Sequence, residues 1–301
     1  MDDLVGKTFG KDGRFEVLKQ LGEGGVGSVW LARDTKRGGD YAIKFLMAQA
    51  GIDPDVVRRF SKEGQAWRDV RHPGLVRIHG LGRQYGSLYV VSEFIQGRDL
   101  GHIIEDAGGP LELDRALRFT EEAALALQVV HDHRMIHRDI KPENLMIRDE
   151  DDTVKIVDFG MVKYLDSSSI MTAAGYVMGT PGYVAPEHIR GDDLDGRADT
   201  FALGCVLYET LTGIRAFKAK RVKDVMRRTL NNDPTPLRSL NDVGKPIAKL
   251  VDRMLAKRPA RRPSSMKEVA DEIAAIRDRL AGDSAQGGGL GGMLRQIFEG
   301  A

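Results

Sequence analysis

The hydrophobic pattern divides the chain into a strand-rich first part and a helix-rich remainder. Short apolar and alternating runs predict β-strands at 15–21, 28–32, 41–46 and 88–95. Val56, Phe60 and Trp67 recur at spacings of four and seven, which predicts one helix over 55–70. Longer stretches in which apolar residues recur every three or four positions predict further helices at 113–133, 199–211, 219–230, 246–255 and 266–280. This pattern is typical of the α+β fold class.

Composition and charge narrow the class of protein. The chain has 301 residues, of which 42% are hydrophobic and 30% charged, as in soluble globular proteins. The 45 Lys and Arg against 44 Asp and Glu give a net charge of +1, so no overall field favours nucleic acid or an anionic membrane. No apolar run approaches the roughly 20 residues that span a bilayer. The acidic start, without a signal-peptide pattern, and the single cysteine, Cys205, predict a cytoplasmic protein.

The two ends of the chain differ in composition from the rest. Residues 1–14 precede the first strand pattern and are predicted to be a loosely ordered lead-in. Six glycines between 282 and 292 predict a flexible linker over 281–301, ending in a short tail. The apolar stretch 293–298 could form a short docking helix or have no role of its own.

A glycine-rich segment at 22–27 separates the first two predicted strands. A lone G-x-G-x-x-G pattern is weak evidence and could be a flexible hairpin. A dinucleotide site would place a helix after the glycines, whereas a strand follows here, so that interpretation fails. Gly22, Gly24 and Gly27 lack the Cβ atoms that would block close approach of a ligand to the backbone.

Polar residues with complementary chemistry are concentrated between 137 and 158. Asp139, Lys141 and Asn144 lie within six residues, and Asp158 follows two short apolar runs separated by an acidic turn. The runs predict a β-hairpin, which would return Asp158 to the side of Asn144. Asn144 and Asp158 would offer oxygens to a hard cation such as Mg²⁺. Asp139 could accept a hydroxyl proton and Lys141 could neutralise a phosphoryl group, which is what phosphoryl transfer requires.

The amino-acid sequence of this region resembles that of a known protein family. HRDIKPEN at 137–144 followed by DFG at 158–160 is similar to the catalytic and metal loops of eukaryotic-type protein kinases, most of all the bacterial Ser/Thr kinases. The resemblance covers about residues 12–280. It implies a bilobal protein kinase fold with an N-lobe at 15–95 and a C-lobe at 96–280.

The resemblance also implies a site for ATP with Mg²⁺, or Mn²⁺ in its place. Lys44, in the pattern Y-A-I-K, would bind the phosphates and be oriented by Glu63 on the predicted helix. Asn144 and Asp158 would bind the metal. Asp99 would meet the ribose, with a role at a helix N-terminus as the competing explanation. The ATP contacts that the family pattern implies are Leu21, Gly22, Gly24, Gly27, Val29, Ala42, Lys44, Ser92, Glu93, Ile95, Asp99 and Met146.

Further structural contacts follow from the same resemblance. Trp67 would point toward Phe159 in a packed stack, with His137 as structural support. Asp199 would hold the backbone of the catalytic loop. Arg262 would pair with Glu187, and Ser265 with Glu268 forms a capping-box pattern.

The family pattern implies a protein substrate and control by phosphorylation. The segment 158–187 ends in GTPGYVAPE, and Thr180 would bond near Asp139 and Lys141, which favours Ser/Thr acceptors. The chain itself would be one substrate. Thr172, then Ser169, are the candidate phosphosites, because Tyr176 replaces the threonine that many relatives phosphorylate. The phosphate would bind the basic residues Arg59, Arg138 and Lys163.

Two other classes of protein remain open. A pseudokinase would signal as a nucleotide-binding scaffold, but it would lack at least one of Lys44, Asp139 or Asp158. A small-molecule phosphotransferase would lack the GTPGYVAPE platform for a peptide. Phosphorylation of a protein separates both from the kinase hypothesis.

Overall fold

The computed structural model describes residues 4–24, 27–46, 54–84, 86–159, 180–241 and 243–298, with side chains left out at 54, 56 and 283–298. The first part of the chain forms a six-stranded antiparallel sheet in the order β1-β2-β3-β4-β6-β5. Its strands are β1 (Thr8–Phe9), β2 (Phe15–Gly24), β3 (Gly27–Asp34), β4 (Asp40–Leu46), β5 (Ile78–Gln84) and β6 (Ser87–Glu93). One long helix, α1 (Pro54–Asp69), lies between β4 and β5 in the chain. The strand patterns and the helix predicted from sequence are thus confirmed.

The start of the chain is more ordered than its sequence predicts. The lead-in predicted over 1–14 contains β1, in which Phe9 pairs with Phe15. The Phe9 side chain is 1% exposed, and its ring centroid lies 4.5 Å from that of Phe45 and 5.8 Å from that of Tyr89. Burial of such a ring stabilises the fold by roughly 2 kcal/mol. An isolated aromatic residue in a polar segment gives no periodic signal, which is why the pattern missed it.

The second part of the chain is mainly helical. A short three-stranded sheet joins it to the first part, with β7 (Gly97–Asp99), β8 (Leu145–Arg148) and β9 (Val154–Ile156) in that order. The helices are α2 (Leu100–Ala107), α3 (Leu113–Asp132), α4 (Pro186–Arg190), α5 (Arg197–Thr212), α6 (Val222–Asn231), α7 (Lys245–Met254) and α8 (Met266–Phe298). In α5 every residue from Ala198 to Leu211 is buried, so this helix forms the centre of the core. Among the described residues, no helix has both the length and the apolar character needed to cross a membrane.

The last helix continues beyond its predicted end. The glycines after Ala281 predict a flexible linker, whereas the backbone of α8 stays helical to Phe298. Glycine costs about 1 kcal/mol relative to alanine in a helix interior, but propensity is a weak guide once a helix is anchored by packing. Val269, Ile273 and Ile276 supply that anchor, since all three are buried. The domain boundaries predicted at 14, 95 and 280 stay predictions.

The two parts of the chain are joined along β9. Leu75, in the loop before β5, forms a parallel bridge with Ile156. The Val76 amide donates to the Ile156 carbonyl at 2.9 Å, and the Ile156 amide donates to the Gly74 carbonyl at 2.8 Å. The segment that enters β5 is therefore fixed to the strand that leads to Asp158.

Candidate active site

A buried carboxylate on α5 shapes the backbone of the catalytic loop. Asp199 is 1% exposed, and it accepts hydrogen bonds from the His137 amide at 2.9 Å and the Arg138 amide at 2.8 Å. His131 at the end of α3 lies 2.8 Å from the same carboxylate through Nε2. Burial by itself would raise the pKa of Asp199, but His131 and the amide donors hold it below its ordinary value. The predicted role of Asp199 as the support of this loop is confirmed.

Three predicted catalytic residues and the predicted metal ligand Asn144 form two neighbouring hydrogen-bonded pairs, which together are called the acceptor cluster below. The Asn144 side-chain amide donates to the Asp139 carbonyl at 2.7 Å and to the Asp139 carboxylate at 3.0 Å. The Lys141 ammonium donates to the Thr180 hydroxyl at 3.0 Å. A base for a hydroxyl proton, a cation and a side-chain carbonyl therefore lie within one loop.

The predicted hairpin brings Asp158 to this cluster. Strands β8 and β9 pair antiparallel, with Leu145 opposite Ile156 and Ile147 opposite Val154. Just beyond them, the Val157 amide donates to the Asn144 carbonyl at 2.9 Å. Asp158 has a φ of 59°, a left-handed conformation that a non-glycine residue rarely adopts. Such strain is concentrated at functional sites.

Lys44 contacts a different carboxylate from the one expected. The family pattern predicts an ion pair between Lys44 and Glu63, but the Lys44 ammonium lies 2.7 Å from the Asp158 carboxylate instead. The Lys44 and Asp158 side chains are 19% and 33% exposed. In this structure Lys44 therefore pairs with Asp158, and its orientation by Glu63 when phosphates are bound stays a prediction.

Glu63 lies instead in a poorly solvated position close to two arginines. Its Oε2 is buried without a hydrogen-bond partner among the described residues. Burial raises the pKa of the Glu63 carboxyl to about 7, although the positive charges of Arg138 and Arg59 oppose the shift. Two members of the predicted phosphate pocket, Arg59 and Arg138, therefore both lie near Glu63. The third member, Lys163, and the candidate phosphosites Thr172 and Ser169 lie outside the described residues.

The stack predicted behind Asp158 is present. The Trp67 and Phe159 rings are nearly parallel, with centroids 4.1 Å apart and an interplanar angle of 21°. His137 completes the group, with its ring centroid 6.0 Å from that of Trp67 and 5.6 Å from that of Phe159. All three side chains are buried, which fixes the orientation of the segment that carries Asp158.

The glycines of the first hairpin fall into two groups. A Cβ atom at Gly22 or Gly24 would meet no protein atom within 4 Å, so packing within the described residues does not require glycine there. Gly27 has a φ of 151°, and a Cβ atom on it would lie 1.9 Å from the Phe45 carbonyl oxygen. Gly27 is therefore needed by the strand pairing, whereas Gly22 and Gly24 leave the backbone open to a ligand.

The remaining predicted ATP contacts lie on strands and at one helix start. Asp99 caps α2, because its Oδ1 accepts from the His102 amide at 3.0 Å while its Oδ2 contacts the His102 ring. The helix role proposed for Asp99 is therefore present, and its ribose role stays a prediction. Leu21 is 41% exposed. The other positions are Val29 on β3, Ala42 on β4, Ser92 and Glu93 at the end of β6, Ile95 after it, and Met146 on β8.

Sequence reasoning missed three ionic contacts near the site. Lys155 on β9 donates to the Glu93 carboxylate at 2.8 Å, and Arg215 lies between Glu143 and Glu209. Lys155–Glu93 and Arg215–Glu143 join residues 62 and 72 positions apart, so no local pattern predicts them. Arg215–Glu209 spans six positions across the end of α5. The proximity of Lys155 to the DFG sequence was the only available signal for the first contact.

The chain matches known proteins over most of its length. The model of the protein kinase domain matches residues 15–273. Serine/threonine-protein kinase Pkn3 of Myxococcus xanthus is 36% identical over an alignment of 295 residues that covers 94% of this chain and 53% of that protein. Serine/threonine-protein kinase PknA of Mycobacterium tuberculosis is 34% identical over 282 residues, covering 92% of this chain and 64% of that protein. The chain thus spans between half and two thirds of these curated relatives.

A solved structure gives the same result for the fold. The kinase domain of Mycobacterium tuberculosis PknI superposes with a TM-score of 0.72 at 25% identity, covering 91% of this chain and 99% of that chain. The family match contains the catalytic loop, Asp158, Lys44 and Glu63. The chain belongs to the protein kinase domain family.

Proposed function

We propose that this chain transfers the γ-phosphoryl group of ATP to serine and threonine hydroxyls of proteins, including its own. The observation that carries this proposal is the cluster in which Asn144 bonds to Asp139 while Lys141 bonds to Thr180. It combines a base, a cation and a threonine of the peptide platform in one place. The serine/threonine-protein kinases to which the chain is similar support the choice of acceptor.

The side-chain oxygens of Asn144 and Asp158 fit a divalent cation such as Mg²⁺, with Mn²⁺ as an alternative. Both amide hydrogen bonds of Asn144 point to Asp139, which leaves its side-chain carbonyl oxygen as the group that a cation would bind. The Asp158 carboxylate would supply the second oxygen. When bound, the cation neutralises charge on the phosphates. Lys44 and a cation compete for Asp158, so a productive arrangement has Lys44 turned toward the phosphates and Glu63.

Residues of the chain itself position the acceptor hydroxyl and the phosphates. Asp139 orients the acceptor hydroxyl and accepts its proton as the new oxygen–phosphorus bond forms and the bond from the γ-phosphorus to the leaving ADP breaks. Lys141 places positive charge beside the transferred group and at the same time holds Thr180. Gly22 and Gly24 allow the backbone of the first hairpin to approach the phosphates.

Regulation and location are part of the same proposal. Phosphorylation of Thr172 or Ser169 would supply a phosphate to Arg59, Arg138 and Lys163 and so hold the segment before Thr180. The near-neutral charge and single cysteine support a cytoplasmic location. Partners would be ATP and protein substrates rather than nucleic acid.

Intact-mass spectrometry before and after Mg-ATP tests the proposal. The purified protein is first treated with phosphatase, so that phosphate already present does not hide the reaction. We expect the wild type to gain multiples of one phosphate, while Asp139→Ala and Asp158→Ala gain none. Absence of added phosphate on all three, with ATP still bound, would contradict the proposal and favour a nucleotide-binding scaffold.

A further inference from the structure

Two carboxylates beside the catalytic loop are bridged by an arginine from the same chain. Glu143 lies two residues after Lys141 in the loop, and Glu209 lies near the end of α5. Arg215, just after α5, places Nη2 3.8 Å from Glu143 and Nε 3.6 Å from Glu209. Opposite charges at these separations attract, but both distances are longer than a hydrogen bond. The guanidinium is thus held loosely between the two acids.

Tyr183 connects this group to the acceptor side of the site. Its hydroxyl donates to the Glu209 carboxylate, and Arg215 lies over its ring, 5.6 Å from the centroid. Its amide donates to the carbonyl of Thr180 at 3.2 Å, and Thr180 is the residue that binds Lys141. The arginine with its two acids therefore adjoins the position at which a peptide must place its hydroxyl.

The group is open enough for a ligand to reach. The side chains of Glu143 and Arg215 are 43% and 44% exposed, whereas that of Glu209 is 12% exposed. Two carboxylates face one guanidinium. The arginine bound there already shows that the position accepts a guanidinium, so an arginine or lysine of a substrate would have to displace Arg215 first.

We propose that Arg215 is a specificity-determining residue: its guanidinium occupies a subsite for basic side chains formed by Glu143 and Glu209, and so disfavours substrates with Arg or Lys at that position. This inference rests on the proposed protein kinase activity. It predicts that the chain does not prefer substrates with Arg or Lys near the acceptor, because the guanidinium of Arg215 already fills the acidic subsite. Removing Arg215 would expose both carboxylates to the substrate.

Matched synthetic peptides test this inference directly. The parent peptide has one threonine acceptor with neutral flanks, and five derivatives each carry one arginine at positions one to five before the threonine. A second set with alanine in place of the threonine reports binding by fluorescence anisotropy without any need for turnover. The proteins compared are the wild type, Arg215→Gln, Arg215→Lys and the double variant Arg215→Gln with Glu143→Gln.

The measured quantity is the ratio of kcat/KM, or of affinity, between an arginine peptide and the parent. We expect Arg215→Gln to raise this ratio roughly three- to tenfold at one or two positions, as expected for partly exposed ion pairs. Arg215→Lys should keep most of the discrimination because it keeps the charge. The double variant should return to the wild-type ratio because one carboxylate of the subsite is gone.

Controls separate this inference from loss of folding and from failure of the proposed activity. Arg221→Gln removes another arginine, whose side chain is 87% exposed and pairs only with Asp224 among the described residues, and should leave every ratio unchanged. Equal ratios in the wild type and Arg215→Gln, in both turnover and anisotropy, would overturn the inference, as would a gain that persists in the double variant. If no protein turns over any threonine peptide, the proposed kinase activity is overturned. The anisotropy ratios then test the specificity claim by themselves, and equal ratios in the wild type and Arg215→Gln would overturn that claim as well.

Discussion

The family motifs offer Lys44 two carboxylate partners, Asp158 and Glu63. In the structure Lys44 pairs with Asp158. The 2.7 Å contact occupies a carboxylate that a metal would need. Glu63 meanwhile has a pKa raised to about 7 by burial, with Arg138 and Arg59 as its charged neighbours. Either pairing joins a lysine to a carboxylate, so the residue types alone do not decide between them.

Replacing Glu63 with glutamine should separate stability from activity. A carboxyl whose folded pKa of about 7 exceeds its ordinary value of 4.5 binds more protons folded than unfolded, so stability falls as pH rises between these values. Glu63→Gln removes that effect, and we expect it to be more stable than the wild type by about 1 kcal/mol at pH 8, after allowance for solvent screening. The difference should vanish near pH 4.5. Urea unfolding at several pH values measures it.

The same variant should be a poorer kinase. A neutral glutamine at position 63 cannot form the ion pair that would orient Lys44 toward the phosphates, so we expect kcat to fall at least tenfold. Glu150→Gln is a suitable control, because the Glu150 side chain is 79% exposed in the turn between β8 and β9, where it pairs with Arg148. A Glu63→Gln protein that is less stable than the wild type at pH 8, or fully active, would contradict this account.

At the scale of elements, α1 is coupled to the catalytic segment through one large ring. Trp67 is 5% exposed and stacks on Phe159 at 4.1 Å. Trp67→Leu would leave a cavity and lose the aromatic contact, so we expect a loss of about 2–3 kcal/mol in unfolding free energy and a lower kcat. Trp67→Phe keeps a ring and should lose less of both. Wild-type kcat in Trp67→Leu would show that the stack does not position Asp158.

A buried ion pair fixes α4 to the segment before α8. Arg262 donates to both oxygens of Glu187 at 2.5 and 2.7 Å, and their side chains are 0% and 5% exposed. Arg262→Met would leave the Glu187 charge buried and unpaired, so we expect a loss of about 3–5 kcal/mol. Adding Glu187→Leu should recover part of it.

An exposed pair provides the comparison for Arg262. Arg253 lies 3.5 Å from Glu268 and also pairs with Glu272, but its side chain is 43% exposed, so Arg253→Met should cost less than about 1 kcal/mol. Urea unfolding followed by circular dichroism compares all three variants. Similar losses in the two single variants would contradict the assignment of Arg262 as the buried anchor.

Periodicity predicted elements whose apolar residues repeat, and it failed where one contact decides the structure. The helix of Trp67 and the hairpin that returns Asp158 follow from spacing, because each buries a regular face. Phe9 has no periodic neighbours, so its burial depends on rings 36 and 80 residues away. The family motifs predicted candidate residues for the site, but they could not show that Lys44 pairs with Asp158 or that Arg215 lies between Glu143 and Glu209.

At the scale of the whole molecule, the two lobes are tied together beside the predicted adenine position. The Lys155 ammonium on β9 lies 2.8 Å from the Glu93 carboxylate, which also accepts from the Arg77 amide at 2.8 Å. The Lys155 and Glu93 side chains are 12% and 30% exposed, so the pair is partly shielded from solvent. Lys155 is three residues before Asp158, so this contact links the end of β6 to the segment that carries Asp158.

Lys155→Met should therefore affect the nucleotide more than the protein substrate. Without Lys155, Glu93 keeps its backbone donor, and we expect an unfolding loss of about 1–2 kcal/mol and a KM for ATP raised roughly three- to tenfold. The KM for a peptide should change less than twofold, because the acceptor cluster of Lys141 and Thr180 does not contact this pair. Lys267→Met, which breaks the exposed pair with Asp271, is the matched control and should change neither constant. Equal increases in both KM values would show that Lys155 supports the fold generally and does not position the nucleotide.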